Sequence, residues 1–285
     1  MKTSNPILSR WDADQQSRPA AVHARRPVDA IVGGGPAGDH GAGLHTPAGP
    51  HPDARADPTA MTLDDVVVRT AATVGTVALT AVLSWLLLSV DEADIGRSYG
   101  LAVGAALIAF VLAMAQSFRR TPSPALILGY AAFEGVFLGV ISSATSTYLS
   151  PGVVVQAVLG TFAVSAGVLV AYRMRWIRVT GRFVGFVGAA ATGFVLLLAA
   201  DALFSAFGAG DGLGFHSGGL GILFGLVGVV LGAAFLALDF QQVEDAVTQG
   251  APREQAWLAA FGLTTTLVWI YLEVLRVLSI FTSDD

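Results

Sequence analysis

Long uninterrupted apolar stretches recur along this chain, separated by short connectors that hold more than half of the arginines. Seven are present, over residues 66–90, 99–118, 125–148, 153–172, 183–207, 219–240 and 258–281. Each approaches the roughly 20 residues that a helix, rising about 1.5 Å per residue, needs to cross the hydrocarbon of a bilayer. The stretches are continuously apolar rather than alternating, which argues against the strands of a lipid-facing barrel. The pattern predicts an all-α polytopic membrane protein, a seven-helix bundle over residues 61–285 preceded by a tail over residues 1–60.

Composition supports that class, with 54% hydrophobic and 13% charged residues and a mean hydropathy of +0.65. Cysteine is absent, which excludes disulfides, thiolate nucleophiles and cysteine-based metal sites. A net charge of −5 gives no reason to expect a nucleic-acid partner. The tail is rich in Pro, Gly, Ala and His and poor in large apolar side chains, so it is expected to be disordered. No apolar core of a signal peptide follows its first residues, and the first span is expected to serve as the targeting signal. Gly33, Gly35 and Gly38 have the spacing of a dinucleotide-binding turn. That motif needs a buried strand before it and a helix after it, and neither pattern is present, so no cofactor is expected. The spacing of His23, His40, His45 and His51 matches no compact metal site.

Arginines in short loops are retained on the cytoplasmic side of a membrane. Arg119 and Arg120 follow the second span, and Arg173, Arg175, Arg178 and Arg182 follow the fourth. The expected topology therefore has a cytoplasmic N-terminus and an outer C-terminus, in the plasma membrane. The weakest support comes from the connector over residues 241–256, expected inside with Arg253 as its only base. Small residues run through the spans, and Gly185 with Gly188, or Gly221, Gly225 and Gly228, are candidate helix-packing seams rather than ligand sites.

Ionisable residues inside spans are costly and mark functional candidates. Glu134 falls near the middle of the third span, Asp201 in the outer half of the fifth, Asp239 at the cytoplasmic end of the sixth and Glu273 near the middle of the seventh. For Glu134 and Asp201 the competing readings are a pathway residue and a carboxylate hydrogen-bonded to a neighbouring helix. Arg276, three residues after Glu273, shares its helix face, so local neutralisation competes with a transport role there. A charge at a wet helix end is ordinary, which is the plain reading of Asp239.

The stretches PALILGYAAFEGVFLG, LALDFQQVEDA and IYLEVLRVLSIF resemble the bacterial branch of the Bax inhibitor-1 family, and SNPILSR followed later by MTLDDVVVRTA fits the same branch. The resemblance implies a seven-helix bundle with the last helix central. It also implies that an acid ending the sixth helix shares a proton with one in the seventh, and that the pair gates a calcium leak. Matched by motif, these acids are Asp239 and Glu273, the latter where the family more often has aspartate, and both become transient calcium ligands. The family's basic partner to the pair matches Arg119, with Arg120 the neighbouring alternative. The expected function is thus a pH-sensitive cation leak, for calcium, without enzymatic turnover. Proton-coupled transport of a small solute uses the same acids. The main rival is a non-conducting membrane regulator that binds a protein partner such as a membrane-anchored protease. An intramembrane hydrolase is disfavoured, because the spans hold no histidine, no cysteine and no metal-ligand spacing.

Overall fold

In a computed structural model of the chain, residues 59–88, 95–207, 213–215 and 217–283 are described. The tail with its glycine motif, its histidines and SNPILSR lies outside the described residues, apart from residues 59 and 60. Seven helices occur among the described residues: α1 (Leu63–Leu87), α2 (Ile95–Ser117), α3 (Pro124–Tyr148), α4 (Pro151–Arg173), α5 (Gly181–Ala206), α6 (Gly218–Thr248) and α7 (Gln255–Ser283). All seven are long and apolar enough to cross a membrane, and most of their outward-facing Leu, Val and Phe side chains are exposed to where lipid lies.

Local chemistry explains the helix ends. Thr62 and Asp65 form a reciprocal capping box, with Asp65 N–H donating to Thr62 Oγ1 and Thr62 N–H to Asp65 Oδ2, so α1 starts before its first long apolar run. Pro124 and Pro151 occupy first-turn positions, where a missing N–H costs nothing. The largest departure from expectation is α6. Its apolar run stops at Phe240, yet the helix continues to Thr248 through polar residues, with Gln241 Nε2 donating to Asp245 Oδ1 at 2.8 Å. It ends where Gly250 adopts φ 66 and Ala251 N–H reaches back to Ala246 O, a Schellman closure. The apolar pattern marks the depth of the membrane, not the length of the helix.

The last helix is central, since α7 packs against α6, α4, α1 and α3, whereas α2 packs on α3, and α5 packs on α6 with Phe194 also reaching Trp269 of α7. Lipid supplies no hydrophobic drive between helices, so the contacts rest on close fit and buried hydrogen bonds. Thr73 and Thr264 hydroxyls join α1 to α7 at 2.6 Å, and Ser142 and Tyr271 join α3 to α7 at 2.6 Å. Gly135 and Gly139 let α3 lie against the backbone of α1, where an added Cβ would overlap the carbonyl oxygens of Val77 and Ala81. Gly185 and Gly188, expected as a candidate seam, instead face open space on α5. The seam glycines are the ones on helices that touch the interior of the bundle.

Gly139→Ala is expected to destabilise the bundle by about 1–3 kcal/mol, the usual cost of overpacking a contact that cannot yield. Gly188→Ala is expected to leave stability within error or raise it slightly. Thermal unfolding of both variants in the same detergent checks the contrast.

Candidate functional site

The chemistry of this protein collects along the antiparallel seam between α6 and α7. Three glycines of α6 form a groove on the face that receives α7. A Cβ at Gly225 would overlap Val277, one at Gly228 the carboxylate of Glu273, and one at Gly232 the side chain of Ile270. Gly225 and Gly228 were legible as small-residue candidates, whereas Gly232 completes the groove and was missed. Trp269 closes the contact by donating its indole N–H to Gly228 O at 3.1 Å.

Glu273 is buried in this groove and faces Arg276, with Oε2 to Nη2 at 2.5 Å. The guanidinium also lies 5.2 Å from the centroid of the Phe224 ring, a cation–π contact. Phe224 is stacked between Phe194 of α5 and Phe215 of the following connector, so the pair is backed by aromatic rings. The contact is ionic rather than well aligned: among the described residues, Glu273 Oε2 and Arg276 Nε and Nη2 have no hydrogen bond of good geometry. Local neutralisation is therefore the observed state of Glu273. It leaves a paired but incompletely hydrogen-bonded charge inside the bundle.

Asp239 is placed differently from expectation. It is not a terminal residue of α6 but lies within the helix, half-buried, accepting from Thr266 Oγ1 at 2.6 Å with its other oxygen toward Gly262. It lines an open cavity of about 420 Å³ in which Gln242, Asp245, Gln249 and Gln255 share the wall with apolar residues such as Met61, Val243 and Leu258. The expected pairing of Asp239 with Glu273 is absent from this structure. Gly228, which faces Glu273, lies about 16 Å of helix before Asp239 at about 1.5 Å per residue, and Thr266 lies about 10 Å before Glu273. Antiparallel packing sets these registers. The acids stand one above the other along the seam and do not share a proton.

The basic partner expected from the end of the second span is also displaced. Arg119 and Arg120 are exposed in the turn after α2, and α2 contacts neither α6 nor α7. The bases near the Asp239 end of the seam are Arg69 of α1 and Arg253 of the α6–α7 connector, which sequence reasoning missed as a pair. Arg69 lies over the Trp257 ring at 5.6 Å, and Arg253 Nε donates to Asp65 Oδ1 at 2.7 Å. A signal existed in the T-x-x-D cap before the first span, but its long-range partner is invisible without the fold.

The other two acids divide. Asp201 is 1% exposed and accepts from the backbone N–H of Leu213 at 2.7 Å, which anchors the connector between α5 and α6. Glu134 is half-buried on α3 and has no hydrogen-bond or ion-pair partner among the described residues, so the expected bond to a neighbouring helix is not made. No cluster of metal ligands occurs among the described residues.

A bundle of seven spanning helices with a charged seam around a central last helix defines a polytopic membrane protein in contact with the lipid bilayer. The Bax inhibitor 1 like family model matches residues 5–283, and the chain belongs to that family. No curated protein matches the sequence.

Arg276→Met leaves Glu273 in the seam without its counter-charge and is expected to destabilise the protein by about 3 kcal/mol, as for other broken buried pairs. Adding Glu273→Gln to that variant is expected to restore most of the loss. Denaturant unfolding in detergent across the full double-mutant cycle measures the coupling.

Proposed function

We propose that this protein is a pH-sensitive cation leak, for calcium, whose pathway follows the α6–α7 seam. The observation that carries the reading is the Glu273–Arg276 pair, an ionic contact inside a bundle of membrane spans. Asp239, in its cavity with Gln242, Asp245 and Gln249, receives the cation with the hard oxygens that calcium prefers. Glu273 acts further along the seam as the gate. The two acids thus work in series instead of as a proton-sharing pair. This conformation is closed, because Trp269 and Ile270 are seated against Gly228 and Gly232 between the two carboxylates.

Protonation of Glu273 removes the charge that holds Arg276. An unpaired guanidinium in the seam then favours a different packing of α6 against α7, which is how a local charge event biases a two-state element. No enzymatic turnover is part of this reading. The arginine-rich connectors after α2 and α4 support a cytoplasmic N-terminus and an outer C-terminus in the plasma membrane, which puts the Asp239 cavity on the cytoplasmic side.

Calcium flux into dye-loaded liposomes, followed from mildly acidic to neutral pH, tests the proposal. Wild-type protein is expected to conduct with a rate that varies with pH. Glu273→Gln is expected to lose the pH dependence, and Asp239→Asn to lower the rate throughout. Folded protein that conducts no better than empty liposomes would overturn the leak and favour a regulator that acts by binding a protein partner.

A further inference from the structure

Residues 59–62, which lead into α1, lie across the α6–α7 connector as a short antiparallel strap. Met61 N–H donates to Ala251 O at 2.8 Å and Arg253 N–H donates to Thr59 O at 2.9 Å, with Ala60 opposite Pro252. Side chains of α1 hold the same connector. Asp65 Oδ1 accepts from Arg253 Nε at 2.7 Å, and Arg69 Nη1 donates to Arg253 O at 2.9 Å. Met61, 2% exposed, packs in one cluster with Val243 and Leu263 and forms a wall of the Asp239 cavity.

We propose that the strap is a latch that narrows the mouth of the Asp239 cavity at this end of the bundle, and that its release opens the carboxylate more widely to water and cations. The proposal rests on the reading of Asp239 as the residue that receives the cation. Behind the strap the cavity is mixed: Asp239, Gln242, Asp245, Gln249 and Gln255 offer oxygens and amides to an aqueous guest, while Met61 seats the strap against an apolar wall. Apart from the buried Met61, what holds the strap is light. Its backbone pairing has two hydrogen bonds, and its ion pair leaves the Arg253 side chain 60% exposed, where solvent and salt weaken it. The strap is also the point at which the preceding residues join the bundle, so whatever acts on them acts first on the latch.

The absence of cysteine from the chain permits a direct test on the full-length protein in liposomes. Ala60 and Pro252 are a non-hydrogen-bonded antiparallel pair, a geometry with Cα atoms about 4.5 Å apart, within the range a disulfide spans. Oxidised Ala60→Cys/Pro252→Cys is expected to suppress flux, with recovery on reduction. Arg253→Gln removes the ion pair while keeping the Asp65 cap of α1, and is expected to raise flux. In a Val243→Cys background, Arg253→Gln is expected to speed labelling of the thiol by a water-soluble maleimide several-fold. Faster labelling without conduction by any variant, wild type included, would support the latch and overturn the leak. Wild-type conduction unchanged by the disulfide and by Arg253→Gln, with unchanged labelling, would overturn the latch and leave the leak standing.

Discussion

The structure is organised by the need to keep a glutamate of the central helix out of lipid. An ionised side chain facing hydrocarbon at the middle of a span costs roughly 2.5–3.5 kcal/mol on insertion scales and more in simulations. α7 avoids this by turning Glu273 toward α6, and α6 makes room with glycine where the carboxylate arrives. The same close approach brings Trp269 within hydrogen-bonding distance of the Gly228 carbonyl and seats Ile270 against Gly232. Register, tight packing and charge placement are therefore one arrangement. None of the three is adjustable alone.

Because α7 also touches α1, α3 and α4, a change at its seam with α6 reaches most of the bundle. The hydroxyl contacts of Thr264 with Thr73 and of Tyr271 with Ser142 tie it to the opposite side. α2 and α5 stand at the margin of this network, α2 resting on α3 and α5 on α6, with Phe194 of α5 touching Trp269 of α7. α5 is held partly by aromatic stacking of Phe194 on Phe224, the ring that also faces Arg276. The charged seam is thus braced from one side by hydroxyls and from the other by rings.

The seven spans were legible because burial in lipid demands long apolar runs, and that demand is local in sequence. Helix ends were less so. The polar continuation of α6 to Thr248 obeys capping and side-chain pairing instead of hydropathy, and it changes Asp239 from a helix terminus into an interior residue. The candidate acids were found by depth alone, and of their partners only Arg276, one turn from Glu273 on the same helix, was legible. Whether Asp239 meets Glu273 depends on the offset between two antiparallel helices, set by Gly225, Gly228 and Gly232 acting against side chains far along the chain. Arg119 stands away from the seam for a related reason, since α2 docks on α3.

The length of α6 carries a consequence of its own. Its 31 residues extend about 46 Å at about 1.5 Å per residue, against a hydrocarbon layer of about 30 Å. The headgroup plane must therefore cross this helix well short of its end, in the region where Phe240 gives way to glutamines. Thickening or thinning the bilayer moves that crossing along the helix or tilts it, the response known as hydrophobic mismatch. Lipid chain length thus sets how deeply the carboxylate of Asp239 is immersed, and membrane composition reaches this end of the seam through the helix itself.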